Sequence, residues 1–342
     1  MRTDMERNQS RAFAGFRLLK MEKKNIVGKP LPESCSDRGF DVEHRADLNR
    51  LMTRVYNAQG LMLRDGMKLR RQGITYRCWE HGEMYANYHT HTVRCNHAEG
   101  TEREYIEQGL KQGLAILGFS DHSPQAFDHY VSSLRMRPEQ LEDYVMTLRA
   151  LKEEYAGRME ILIGLEAEYY PLYFERLLDL IQPYHLDYLI LGQHFLGNES
   201  DGQMACPRPT DDERDLERYV KQTIEALETG KFSCFAHPDI LHYTGDRKIY
   251  RKWFEKLCLR AKELNVPLEM NMLGYATGRH YPNPAFFQIV RDVGNQVILG
   301  CDAHNPERIA DPDEVVRCMR FLQQCGIEKV IDHLELTAPT MI

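Results

Sequence analysis

"LDYLILGQH", residues 186–194, runs from Tyr188 to Leu191 with no polar residue alternating along it. A strand with one wet face alternates; unbroken apolarity over strand length is expected where both faces are covered, as in parallel sheets. The run ends in Gly-Gln-His, so an imidazole follows directly on a buried strand. Five more segments share this form: "LAILGFSDH" (114–122), "EILIGLEAE" (160–168), "FSCFAHPD" (232–239), "VPLEMN" (266–271) and "QVILGCDAH" (296–304). Helix signals lie between them. "TERE" (101–104) is a capping box, with Thr101 at the cap and Glu104 reaching back. Pro138, Pro171 and Pro284 open helical runs to residues 155, 181 and 293, and residues 212–227 and 248–264 have helical spacing. Strand-then-helix units from Tyr85 onward predict an α/β fold, either a parallel barrel or a doubly wound sheet.

Composition bounds the function. The chain has 342 residues, 42% hydrophobic and 28% charged, with a formal net charge of −7, as expected of one large folded domain or two smaller ones. The absence of a Lys/Arg block argues against a nucleic-acid or anionic-membrane partner, and no apolar run reaches the about 18 residues of a membrane helix. The N-terminus carries charges throughout, unlike a signal peptide. Nine scattered cysteines without a C-x-x-C pair read as reduced thiols, hence a cytoplasmic protein. Residues 1–83 are rich in Arg, Lys, Asn and Glu. A short apolar recurrence (Leu48, Leu51, Met52, Val55, Leu61) predicts one or two helices in an extension with frayed or disordered ends, where His44 and His81 read as surface residues. Met84 opens what reads as a complete domain, so the expected division is 1–83, an extension or a misplaced start, and 84–342.

Metal-binding residue types gather at the strand ends. "YHTHTVRCNH" (88–97) holds His89, His91 and His97; His122, Glu166, His194, His237, Asp302 and His304 close later strands. In a parallel barrel these C-terminal ends converge on one face. Residues i and i+2 on a strand point the same way, so His89/His91 and Asp302/His304 form two-armed clamps. Each histidine alone reads as an ordinary hydrogen-bonded loop residue. Seven of fourteen at one topological place do not, whereas His129, His185, His242, His280 and His333 fall elsewhere. Cys95 and Cys301 adjoin the motifs but are out of phase with the paired ligands. The expected set is therefore imidazole and carboxylate, suited to Zn, Mn or Fe. Nine donors suffice for two or three ions sharing a bridging carboxylate.

"HTHTVRCNH", "FSDHSP", "GLEAEYYP", "LDYLILGQHFL", "FAHPDI" and "GCDAHNPERI", in this order over roughly residues 84–330, resemble the polymerase-and-histidinol-phosphatase (PHP) family, and within it the monofunctional histidinol-phosphate phosphatases. The resemblance implies a distorted (β/α)7 TIM-like barrel with a trinuclear centre of divalent ions. His89, His91, Glu166 and Asp302 would hold one ion; Glu166 would bridge to a second, held also by His194 and His237; His97, His122 and His304 would hold the third. It implies hydrolysis of L-histidinol phosphate in histidine biosynthesis, with Asp302 or His304 moving the proton. Where the family carries a Gly-Leu-Arg, this chain reads "MNMLGYATGRHYPNP", which displaces Arg279. Arg279 is still the first choice for a phosphate clamp, because a guanidinium grips phosphate in a fork. Glu168 is expected either to meet the substrate's ammonium or imidazole or to orient a ligand, and Ser123 to donate to phosphate. The partner is a small phosphate monoester. Two alternatives stay open: a PHP phosphoesterase acting on a nucleotide, sugar phosphate or phosphotyrosine, and a non-catalytic metal-binding regulatory domain.

Overall fold

Seven parallel strands follow one another around a sheet in chain order: β1 (Ala86–Asn87), β2 (Ile116–His122), β3 (Glu160–Ala167), β4 (Tyr188–Leu191), β5 (Cys234–Phe235), β6 (Leu268–Asn271) and β7 (Val297–Gly300). This computed structural model describes residues 82–339; the expectations for residues 1–81 lie outside the described residues. The helices are α1 (Glu102–Gln112), α2 (Leu141–Glu154), α3 (Phe174–Ile181), α4 (Glu213–Glu228), α5 (Arg247–Glu263), α6 (Met272–Ala276), α7 (Pro284–Val293) and α8 (Pro312–Gln324). The architecture is a nearly closed (β/α)7 barrel, the barrel alternative of the two read from sequence.

Local chemistry sets the boundaries. Thr101 and Glu104 form the capping box of α1, Asp212 and Asp246 cap α4 and α5, and Asn283 caps α7 with Pro284 in its first turn. After Pro171 the helix starts late, at Phe174, because residues 171–173 form a turn.

Alternate strand residues sort into two apolar clusters. Leu162, Tyr188, Ile190, Cys234 and Ile298 fill the barrel, where the Tyr188 hydroxyl donates to the Tyr88 carbonyl at 2.8 Å; Ile161, Ile163, Leu189, Leu191 and Leu299 pack outward against the helices. The inward phase of β3 continues from Leu162 to Glu166 and Glu168, that of β4 from Ile190 to His194, and that of β7 from Ile298 to Asp302. The core thus aims its own continuation at the mouth. β7 itself stops at Gly300, and Asp302 has φ +49°, so the Asp302/His304 arm stands on an irregular turn rather than a strand. His237 (φ +32°) shifts phase in the same way. Non-glycine residues held at positive φ concentrate at functional sites.

Between β1 and β7 the ladder thins to a seam. The Asn87 side chain accepts the Cys301 N–H at 2.9 Å, and only Thr90 and Ala303 form a bridge, with His91 N–H donating to Ala303 O at 3.0 Å.

Candidate metal centre

Glu166 is the hub of the mouth. Its carboxylate lies 2.8 Å from His237 Nε2, 2.9 Å from His122 Nδ1, and 3.6 Å from the Nε2 atoms of His89, His91 and His194. Asp302 Oδ1 forms a second focus, 3.1 Å from His91 Nε2, 3.5 Å from His89 Nε2 and 3.4 Å from His304 Nδ1. His97 packs its ring against those of His304 (4.7 Å between centroids) and His122 (5.3 Å). All nine residues singled out in the sequence therefore stand together, from six separate segments.

A glycine makes room for the hub. A β-carbon on Gly192 would fall 1.9 Å from Glu166 Oε1, and one on Gly300 would fall 1.7 Å from Glu269 Oε1. The two cases share one register: Glu166 pairs with Ile190 and Glu269 with Ile298, and each carboxylate leans over the glycine two residues further on.

The outer nitrogens of the rings are tied back, which fixes their tautomers. His89 Nδ1 donates to Glu269 at 2.7 Å and His194 Nδ1 to Glu168 at 2.9 Å; His97 and His304 donate Nδ1 to the carbonyls of Cys95 and Asp302 at 2.8 and 3.0 Å. Each leaves Nε2 as the free donor, the arrangement that metal-ligating histidines adopt. Glu269 also accepts from the His237 N–H and from Asn271 Nδ2, both at 2.9 Å, and so braces the strained His237 turn.

Electrostatics follow from this crowding. Burial opposes ionisation of Glu166, but His122, His194 and His89 hold it well below the usual carboxylate range; burial likewise opposes Asp302, which His89, His91 and His304 hold low. For His89, burial is outweighed by Glu269, Asp302 and Glu166, and its pKa rises to about 10.

The remaining sequence candidates occupy different places. Glu168 is engaged on both oxygens, by His194 and by Arg135 Nη1 at 2.6 Å, and Arg135 continues to Glu199 at 2.6 Å. Arg279 is exposed at the rim, and its guanidinium donates to the Tyr281 hydroxyl, whose ring faces His237 at 5.8 Å. The Ser123 hydroxyl accepts from Gln125 Nε2 at 3.3 Å, and its N–H donates to the Glu166 carbonyl at 2.8 Å. Cys95 departs from the expectation of a thiol-free cluster: it is fully buried against His91, His97 and His304. The 3₁₀ turn Val93–Cys95 reverses the chain after His91, so strand phase does not govern where the thiol points. Burial opposes its ionisation, but His304, His91 and His97 draw it down to about 4. Sequence reasoning also passed over Glu269, Asp121 and Arg135. "LEMN" does place Glu269 on the inward phase, which was the available signal; Asp121 shares the outward phase of Leu117 and Phe119, and Arg135 lies in a loop that carries none.

The chemistry of the cluster fits cations. Buried His89 Nε2, both ring nitrogens of His91, His237 Nδ1 and His304 Nε2 have no hydrogen-bond partner, and donor triplets such as His89/Glu166/His237 and His89/His91/Asp302 each fall within 4.8 Å. Lone pairs stripped of water and aimed at one another are costly unless something positive lies between them.

Comparison with known proteins agrees with this geometry. The chain is 30% identical to a "Probable histidinol-phosphatase" of Deinococcus radiodurans, over 65% of this chain and 86% of that one, and 26% identical to one of Schizosaccharomyces pombe, over 71% and 88%. Its fold superposes on histidinol phosphate phosphatase of Lactococcus lactis, solved with zinc, L-histidinol and phosphate, with a TM-score of 0.57 at 19% identity, over 72% of this chain and 95% of that one. Residues 87–273 match the PHP domain. The chain belongs to the PHP domain family.

Proposed function

We propose that this chain is a metal-dependent phosphomonoesterase that hydrolyses L-histidinol phosphate to L-histidinol and phosphate. The observation that carries the reading is the nine-residue cluster around Glu166, together with relatives named for this reaction. His89, His91, Glu166 and Asp302 would hold one divalent ion, Glu166, His194 and His237 a second, and His97, His122 and His304 a third, drawn from Zn, Mn or Fe. When bound, such ions neutralise the phosphoryl oxygens and activate a water near neutral pH.

The chain's own residues do the rest. Glu269 and Glu168 accept the Nδ1 protons of His89 and His194 and hold their rings to one geometry, so that part of the site is set before substrate arrives. Asp302, kept ionised by its histidines, takes the proton of the attacking water as the new P–O bond forms. It returns that proton to the histidinol oxygen as the ester bond breaks; His304, 3.4 Å from the same carboxylate, is the alternate carrier. Arg279 swings from Tyr281 to fork the phosphate. Ser123, beside the Glu166 backbone, supplies a hydroxyl to the same group. Glu168, committed to Arg135 and His194, orients the ligand rather than greeting the substrate's ammonium. The seven described free cysteines suit a reducing compartment, consistent with histidine biosynthesis in the cytoplasm.

Steady-state kinetics on L-histidinol phosphate beside a panel of nucleotide, sugar and aryl monoesters tests the reading. The highest kcat/KM is expected for histidinol phosphate, lost on chelation. Faster turnover of another ester overturns the substrate, and activity undiminished after complete metal removal overturns the mechanism.

A further inference from the structure

We propose that Cys95 is an additional ligand of the outermost ion, giving that position a sulfur–nitrogen set that selects zinc or cobalt over manganese or magnesium. The inference rests on the metal reading above and deepens it. The turn Val93–Cys95, capped by the Thr92 side chain, carries the sulfur inward until none of Cys95 is exposed. Its Sγ and one donor atom each of His97 and His304 lie within 4.8 Å of one another. Donors about 2.1–2.3 Å from a tetrahedral zinc stand about 3.6 Å apart, so side-chain shifts of about 1 Å complete the site.

The neighbouring nitrogens point to a ligand independently of the thiol. His97 and His304 spend Nδ1 on backbone carbonyls, and the freed Nε2 of His304 is buried without a partner. His91, with no exposed surface, has no hydrogen bond at either ring nitrogen, and it forms a second tight group with Cys95 and Asp121. A polarisable sulfur among imidazoles is the set that thiophilic ions prefer.

Cobalt(II) titration of the full chain reads the sulfur directly. Bound cobalt should show ligand-field bands together with a near-ultraviolet sulfur-to-cobalt charge-transfer band. Cys95→Ser should remove the charge-transfer band, keep the ligand-field bands, and weaken zinc retention at one position about 10–100-fold. Cobalt bound without the charge-transfer band, or a band that survives in Cys95→Ser, overturns the proposal and leaves the metal centre standing. A chain that binds no cobalt or zinc overturns both. Should the variants fail to fold, cadmium NMR on the native chain still decides, because the shift of bound cadmium separates a sulfur donor from an all nitrogen–oxygen shell.

Discussion

Replacing Glu269 by Gln changes one atom's chemistry at nearly constant shape, which isolates what the carboxylate does behind His89. Its Oε2 accepts the His237 N–H and Asn271 Nδ2, and its Oε1 accepts His89 Nδ1. Glutamine has a single acceptor oxygen. Facing His89 with it would set the amide NH2 against two buried donors, at about 1–3 kcal/mol for each donor left unpaired. Facing His237 and Asn271 with it leaves only the His89 contact to repair, so this orientation wins. His89 then meets an N–H donor and must move its proton from Nδ1 to Nε2, which closes the lone pair that faces Glu166 and Asp302. The expected cost is about 10–100-fold in metal affinity and kcat/KM, or about 1.4–2.8 kcal/mol. Metal retained per chain against graded chelator and turnover of p-nitrophenyl phosphate measure it. Native retention and native kcat/KM in Glu269→Gln would refute the tautomer argument.

Four further outcomes are expected. Gly192→Ala places a methyl 1.9 Å from Glu166 Oε1, so the folded variant should lose metal and activity; a variant with full metal content would show that Glu166 moves freely. His89 in the metal-free chain has a pKa raised from 6.5 to about 10, so its contribution to stability is complete below about pH 6.5 and fades as pH rises toward about 10. Metal uptake at about pH 8 must then displace its proton, which calorimetry in buffers of different ionisation enthalpy detects; zero proton release would reject the assignment. Arg279→Ala should raise KM for phosphate esters about tenfold, the loss of one charge-assisted pair with phosphate, while thermal stability holds because the side chain is exposed; unchanged kinetics would remove it from the site. A chain beginning at Gly82, which already packs closely on Pro312, should fold and turn over as the full chain does; insolubility would place part of the preceding segment in the core.

The barrel was legible because two-sided burial writes unbroken apolar runs, and the ligands because they extend the inward phase of those runs. Glu166 and His194 follow that rule directly. His237 escapes it through a positive φ that strand periodicity cannot encode, and His89 through a phase change after Tyr88 that needs the Thr90–Ala303 bridge across the barrel. Arg135 was invisible because its role depends on Glu168 and Glu199, 33 and 64 residues away. Cys95 was misread for a related reason. Its orientation is set by a capped turn, a three-residue event that alternation arguments treat as loop.

The thin closure between the first and last strands has a mechanical consequence. His89 and His91 stand on one lip of that gap, Asp302 and His304 on the other, and the backbone between them contributes a single bridge, a borrowed amide and the Glu99 N–H donated to His304 O. Cations gripped from both lips would act as rivets along the line where the cylinder is easiest to pry apart. Stripping them should loosen the amides of His91, Cys301 and Ala303 to solvent exchange first, while the β2–β3 wall stays shut.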